Sequence, residues 1–597
     1  MSLASVPEAA KAGTPPAPDS PAATAGLRRA GSGVYGQAAA YALLLGVLIN
    51  SGNRGLYAGL PGGYSAGTGD HYVLSTKGLH WADPTRYAGD WFLENAPQPH
   101  WFFDSLTYLG SSMGALDLVY LLFWCTGLLA FGLGVAFLSR KWVPRTPWLF
   151  GAAATVLASL TPWMVVGTGS SIISLAIPAV VSANLIFLFM AAALTGRSKW
   201  MLAAAVLCAV VHVQQGAVVA VLLAALIIVH VVRHRRVPMA TAVTLAATAA
   251  IVAAGLIARP VAANTSDFVD ICNEMIAYHC AAQFWDVPTI LVSLAAIGLA
   301  LCTLMYAPAG ERAVWAAVVG LPMAGLLLGL MANMWSVPFF GELAQGLNVY
   351  RLGALVMPFA VMGVLLPVFR LGTKNLPAAL LVLLLTWEYV LDGSWTPVIE
   401  QNNAFILAYL LVVLVPVFVR SRRTPGAALP ATRVSAGALI VLFLAVPAST
   451  GGLTLRGLDP TYIPNSEVRE WGEAVEAAVP AGESLLAPPL ATYVRAVTYR
   501  GVIADCKNIP YGGEPWNQWQ ERLGDLGAAD HCREGDPSAY NSLSSVQLDR
   551  VAEKYGINYM VVEDGQAGRI PELSDLGWEI LLAPVNSLQN VVLTKTG

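Results

Sequence analysis

Carboxylates are sparse in the apolar bulk of this 597-residue chain, and the stretch 54–114 is where they gather: Asp70, Asp83, Asp90, Glu94 and Asp104 stand there with His71, His80, Arg86 and His100 among Tyr, Trp and Phe. A carboxylate within hydrogen-bond reach of a hydroxyl can take its proton, and aromatic rings suit the flat faces of sugars or the depth of lipid headgroups. The plainer reading is an interfacial Trp/Tyr belt with solvated charges. Arg351 is a second focus, a cation immediately before the apolar run LGALVMPFAV. A guanidinium takes phosphate oxygens bidentately, which makes Arg351 a candidate phosphate clamp; the alternatives are snorkelling to the interface or pairing with Glu342. Arg259, His279 and Trp285 in the segment 259–288 are candidates for further phosphate contacts. Polar groups inside apolar runs are expensive and default to function, which singles out His212, Gln214, Gln215, Glu342, Gln345 and Glu388 as cavity-lining candidates, and His71 beside Asp70 is another.

The elements that position these groups follow from composition. Hydrophobic residues make up 56% and charged residues 12%, about half the charge of an ordinary soluble domain, so the chain reads as a polytopic membrane protein. A helix needs about 20 apolar residues to cross the hydrocarbon. Candidate spans fall near 36–53, 115–138, 146–166, 171–194, 239–258, 289–307, 313–333, 349–370, 375–391, 403–420 and 432–449. The run from Met201 to Val232 would be about 48 Å of helix, too long for one crossing, and it is interrupted at HVQQG. Two short helices entering and returning on one side fit it, giving about thirteen membrane helices. Residues 1–35, rich in Ala, Pro and Ser, read as a disordered cytoplasmic tail, with Arg28 and Arg29 as its anchor. Every second turn is then basic: Arg140/Lys141/Arg145, Arg197/Lys199, Arg233/Arg235/Arg236, Arg312, Arg370/Lys374 and Arg420/Arg422/Arg423. By the positive-inside rule these turns are cytoplasmic. The transmembrane domain is therefore 36–449, with 54–114 as its first extracytoplasmic loop, and the domain 450–597 also lies outside.

That tail reads as a small α/β domain. SEVREWGEAVEAAV, EPWNQWQERLGDL and VQLDRVAEKYG have helical spacing, SLLAPP, GVIADCK and INYMVVED read as strands, and WEILLAPV with QNVVLTKT suggests a hairpin. It has no glycine-rich phosphate loop, GxSxG or CxxC. Arg495, Arg500, Lys507 and the Trp516/Trp519 pair could face a membrane site or serve the domain's own surface and core. Cysteines outside the membrane favour disulfides, which pairs Cys272 with Cys280 and Cys506 with Cys532. A zinc site at Cys272, His279 and Cys280 is the sharper alternative but lacks a fourth ligand. A net charge of −3 gives no nucleic-acid signal.

In architecture the chain resembles the GT-C glycosyltransferase superfamily: about thirteen spans, a long acidic first outer loop and an outer C-terminal domain. Within it, DPTRYAGDWF, YVRAVTYRGVIADCKNIP, WNQWQERL and KYGINYMVV are similar to a group of bacterial multi-pass proteins with no assigned substrate. The resemblance implies transfer of a sugar from a polyprenyl-phosphate donor to a glycan, lipid or other hydroxyl acceptor outside the plasma membrane, with an acid of the first loop as base. Asp70, about 17 residues beyond the first span, is the first candidate, and partial burial would raise its pKa toward a useful base. Asp90 in GDWF is its rival. The usual paired acids are replaced here by Asp70-His71, so no metal-binding motif is evident, although a divalent metal stays open. A transporter of lipid-linked saccharides would use the same basic cavity without a base and would carry repeated spans. A non-catalytic membrane scaffold is the other alternative.

Overall fold

The computed structural model describes residues 21–50, 64–96, 100–160, 175–258, 265–285, 287–371, 458–528, 532 and 535–596. The expected spans at 375–391, 403–420 and 432–449, with Glu388, lie outside these residues, as do Arg259 and residues 1–20. Among the described residues, five helices are long and apolar enough to cross a membrane: Leu116–Trp142, Val213–His234, Met239–Ile257, Ala309–Met334 and Val349–Leu366. Shorter apolar helices are Gly33–Ile49, Pro147–Ala158, Pro178–Leu194, Ser198–Val211 and Ala296–Tyr306. The count of about thirteen therefore stays an expectation.

Two details differ from the reading above. The first helix runs Pro21–Ile49, so the Ala- and Arg-rich second half of the expected tail is helical, as its strong helix formers allow. The run from Met201 to Val232 breaks at His212, as its polar turn suggested, but the second helix, Val213–His234, has 22 residues. That is about 33 Å, long enough to cross by itself rather than as a half-helix. His212 adopts extended backbone (φ −149°, ψ 110°) and its Nδ1 accepts from the Gln215 amide at 3.4 Å, which caps the new helix. Gly216 lets the two helices fold closely together, since a Cβ there would lie 2.6 Å from the Ala209 Cα.

Four of the basic turns converge on one end of the helix bundle. Lys141 pairs with Glu311 and bonds the Leu194 carbonyl, Arg233 bonds the Gly310 carbonyl, and Arg197 stacks on Phe137.

The first loop is not a simple connector. It builds the short helices His71–Leu74, Thr76–Ala82 and Trp91–Asn95 and the longer Trp101–Ser112. The tail domain packs on it. Its sheet contains β1 (Ser484–Leu486), β2 (Gly501–Val502), β3 (Tyr559–Val562), β4 (Trp578–Leu582) and β5 (Val591–Lys595) in the order β2-β1-β3-β5-β4. β1 runs parallel to β2 and β3, and the terminal hairpin is antiparallel. Helix Ser466–Ala478 starts at Asn465, whose side chain accepts from two amides, and it buries Trp471 and Val475. Helix Ser545–Tyr555 has a Ser544/Gln547 capping box and ends on Gly556 at φ 64°. The contacts between loop and tail are specific. The Tyr87 amide donates to the Tyr499 carbonyl at 2.9 Å and the Ile463 amide to the Ala66 carbonyl at 3.2 Å, and the tail also reaches helix Leu116–Trp142, where the Tyr462 amide donates to Asp117 Oδ1 at 2.8 Å.

Candidate functional site

Asp70 stands on the turn that opens helix His71–Leu74, and its Oδ1 accepts a hydrogen bond from Lys507 Nζ at 2.6 Å. Both side chains keep contact with solvent, 48% of Asp70 and 33% of Lys507, although protein surrounds them. Two other segments approach this pair, and a second residue of the Lys507 loop joins them. Tyr278 and His279 come from 265–285, Arg351 from the 3-10 turn Val349–Leu352, and Tyr511 from the loop that carries Lys507. The Lys507 ammonium holds the Asp70 carboxyl well below the usual carboxylate range; burial opposes it, and His279 and Arg351 add to it. This corrects the expectation that burial would raise the Asp70 pKa, because a contact cation outweighs desolvation here. Lys507 is raised in return by the Asp70 charge. Burial pushes the hydroxyls of Tyr278 and Tyr511 upward, so both stay protonated donors.

Each group stands on a braced backbone. The loop after β2 is folded around Asp505, which accepts from the Lys507 and Asn508 amides at 2.8 and 2.7 Å and from Asn508 Nδ2 at 2.6 Å. The Cys506–Cys532 disulfide and the Cys506 amide bond to the Pro489 carbonyl fix the residue before Lys507. On the other side the Cys272–Cys280 disulfide closes the turn bearing Tyr278 and His279. Both expected pairings are present, and the Cys272–Cys280 bond removes the two thiolates that the zinc alternative required. Asn273 Oδ1 accepts from Gln283 Nε2 at 2.9 Å and from Gln345 Nε2 at 3.0 Å, which ties this turn to helix Phe340–Gly346. Asn348, left-handed at φ 48°, turns the chain into Val349–Leu352, and Tyr350 locks it by bonding the Gly329 carbonyl and packing on Trp285. Arg351, half-buried, makes no ion pair or side-chain hydrogen bond among the described residues. Its expected alternative partner, Glu342, is exposed elsewhere on helix Phe340–Gly346.

The remaining candidates are placed apart from this cluster. Asp90 caps helix Trp91–Asn95 and forms a buried bidentate pair with Arg495, Oδ2 to Nε at 2.7 Å and Oδ1 to Nη2 at 2.9 Å. Arg495 Nη1 also donates to Asn508 Oδ1 at 3.1 Å and to the Tyr72 carbonyl at 3.4 Å. The pair thus binds the neighbours of Asp70 and Lys507 rather than joining their cluster. His71 is fully buried, with Nδ1 on Ser75 Oγ at 3.2 Å and its ring against Tyr120 and Phe103; burial pushes its pKa down to about 3. It is a neutral core histidine rather than a cavity group. His212 caps its helix beside His100, and Gln215 donates to the Ala179 carbonyl at 3.2 Å. Arg500 is spent on the Glu476 and Val479 carbonyls, and Trp516 and Trp519 stack in the tail core. Asp104 is buried, and burial raises its carboxyl to about 7.

Among the described residues no group of three His, Cys, Asp or Glu could hold a metal ion, and the neighbours of Asp70 are cations, an unfavourable set for a divalent metal. The arrangement can accept a proton at one carboxylate and an anion at Arg351 within one space. Sequence reasoning did not single out Tyr278 and Tyr511. The only available signal was their position, one residue before His279 and four after Lys507.

No family model and no curated protein matches the chain. Among solved structures it is similar to ArnT from Cupriavidus metallidurans bound to undecaprenyl phosphate, with 12% identity over 94% of this chain and 97% of that one and a TM-score of 0.46. The apo structure of the same ArnT gives 14% identity, coverage of 95% and 98%, and a TM-score of 0.47. The arabinosyltransferase EmbB from Mycobacterium smegmatis is similar at 13% identity over 74% of this chain and 42% of that one, with a TM-score of 0.37.

Proposed function

We propose that this protein is an inverting membrane glycosyltransferase that moves a sugar from a polyprenyl-phosphate donor to a hydroxyl acceptor at the outer face of the plasma membrane. The observation that carries the reading is the cluster in which four separate segments bring one solvent-contacting carboxylate, Asp70, together with Lys507, His279 and Arg351. In the reaction the acceptor oxygen attacks the anomeric carbon while its proton passes to Asp70. The bond from that carbon to the phosphate oxygen breaks, and its electron pair leaves with the lipid phosphate. Arg351 and His279 meet the negative charge that develops there. Fixed cations aimed at a developing charge, together with the orientation of two substrates, supply most of the rate in such sites. Tyr278 and Tyr511, about half exposed in the same space, offer ring faces and hydroxyl donors to a sugar. The convergence of basic turns at one end of the bundle supports placing the cluster at the opposite, outer end.

The test is transfer by purified full-length protein supplied with radiolabelled polyprenyl-phosphate sugars and a membrane-glycan extract as acceptor. Labelled product with wild-type protein and none with Asp70→Asn is expected. Wild-type protein that transfers nothing from any polyprenyl-phosphate donor would return the site to the transporter or scaffold reading.

A further inference from the structure

Lys507 Nζ makes a single hydrogen bond among the described residues, to Asp70 at 2.6 Å, and a third of its side chain touches solvent. Its backbone is pinned by Asp505 and the adjacent disulfide, but an ammonium on a four-carbon stem can swing and has two further protons to donate. Arg351 acts on the same groups, Asp70, Tyr278 and Tyr511, and is itself unpaired among the described residues. A phosphate received by Arg351 therefore arrives in the space that Lys507 already faces. A half-exposed single-bond pair is also weak enough to be exchanged. The buried Asp90–Arg495 pair, with both side chains 1% exposed and two bonds between them, is not.

Resting on the donor reading above, we propose that Lys507 is shared between Asp70 and the donor phosphate: on donor binding the ammonium moves from the carboxylate to a phosphate oxygen. One N–H···O bond replaces another, and no proton changes owner. Asp70 is thereby released as a base only after the lipid-linked donor is in place. Binding becomes ordered, donor before acceptor, and the empty site holds its base neutralised. His279 and Arg351 stay near Asp70 throughout, so the released carboxylate remains ionised and ready to take the acceptor proton.

The experiment is a double-mutant cycle on the affinity of full-length protein in lipid nanodiscs for undecaprenyl phosphate. Its members are wild type, Lys507→Met, Asp70→Asn and the double variant, with Lys507→Arg as the charge-keeping control. Lys507→Met is expected to weaken binding about tenfold, with Lys507→Arg retaining most of it. Asp70→Asn is expected to tighten binding about fivefold when Lys507 is present and to have almost no effect in the Lys507→Met background. Equal tightening in both backgrounds would mean that only a repelling charge was removed; the handover would then be overturned while the transferase reading stands. Failure of wild-type protein to bind undecaprenyl phosphate would overturn both.

Discussion

Two carboxylate–cation pairs join the first loop to the tail domain, and they are built in opposite ways. Asp90 and Arg495 share two hydrogen bonds, are 1% exposed, and the guanidinium carries further bonds to Asn508 and Tyr72 while lying over the rings of Tyr87 and Phe92. Asp70 and Lys507 share one bond and remain open to solvent. The buried pair has every oxygen occupied and nothing to offer a substrate. Its accessible counterpart has lone pairs and protons to spare. Charge type and chain origin are alike in the two, so burial and bond count are what set them apart. The buried pair also serves the open one, because Tyr72 and Asn508 are the near neighbours of Asp70 and Lys507.

The comparison breaks most directly at Asp70. Asp70→Asn keeps shape but cannot take a proton, so turnover is expected to fall by about 10²- to 10⁴-fold with little change in melting temperature. Normal turnover in that variant alongside an inactive, folded Asp90→Asn would exchange the roles of the two pairs. Next in size is Arg495→Met, which strands Asp90 as a buried charge and is expected to cost about 3–5 kcal/mol of stability. The double change Arg495→Met with Asp90→Leu should recover part of that loss in thermal unfolding, whereas no second change at Lys507 should rescue Asp70→Asn activity.

Much of this placement was legible in the sequence, for reasons that also mark its limit. Asp70 was singled out by its place in the acidic first loop, Arg351 as a cation opening an apolar run and His279 as a possible further phosphate contact, and the structure brings all three together. The strands and main helices of the tail followed from period-2 and helical patterns; helix Tyr493–Thr498, only six residues long, is too short for such a pattern. Asp90 could not be sorted from Asp70, because the feature that decides its role is Arg495, 405 residues further along. Lys507 stood among several basic residues of the tail for the same reason, 437 residues from its partner. Tyr278 and Tyr511 look like any interfacial tyrosine until the backbone brings them near Asp70 and Lys507.

Asp104 sharpens the contrast between buried and open carboxylates. It is 2% exposed, its Oδ2 has no hydrogen-bond partner, and burial raises its pKa from an ordinary 3.8 to about 7 despite the Lys77 charge. The folded protein then binds a proton that the unfolded chain has released between about pH 4 and 7. This contribution to stability is full below about pH 4 and is lost as pH rises through about 7, up to about 4 kcal/mol in all. The apparent melting temperature of wild type relative to Asp104→Asn should decline across that window. A constant difference between the two proteins would show that Asp104 does not titrate there.

The smallest expected effect concerns Arg351 and tests whether its open guanidinium recognises shape or only charge. Lysine at 351 would keep a cation within reach of Asp70 but lose the planar fork that holds two phosphate oxygens at once. Because Tyr350 is anchored to the Gly329 carbonyl and to Trp285, the backbone should stay in place and the change should be confined to the side chain. Affinity for undecaprenyl phosphate is then expected to fall about tenfold, equivalent to about 1.4 kcal/mol, with a proportionally smaller effect on turnover at saturating donor. A lysine variant that binds as tightly as wild type would show that phosphate is held by net positive charge, leaving Lys507 and His279 as sufficient ligands. An Arg351→Lys variant that loses turnover but not affinity would instead place the guanidinium against charge that develops only as the phosphate departs.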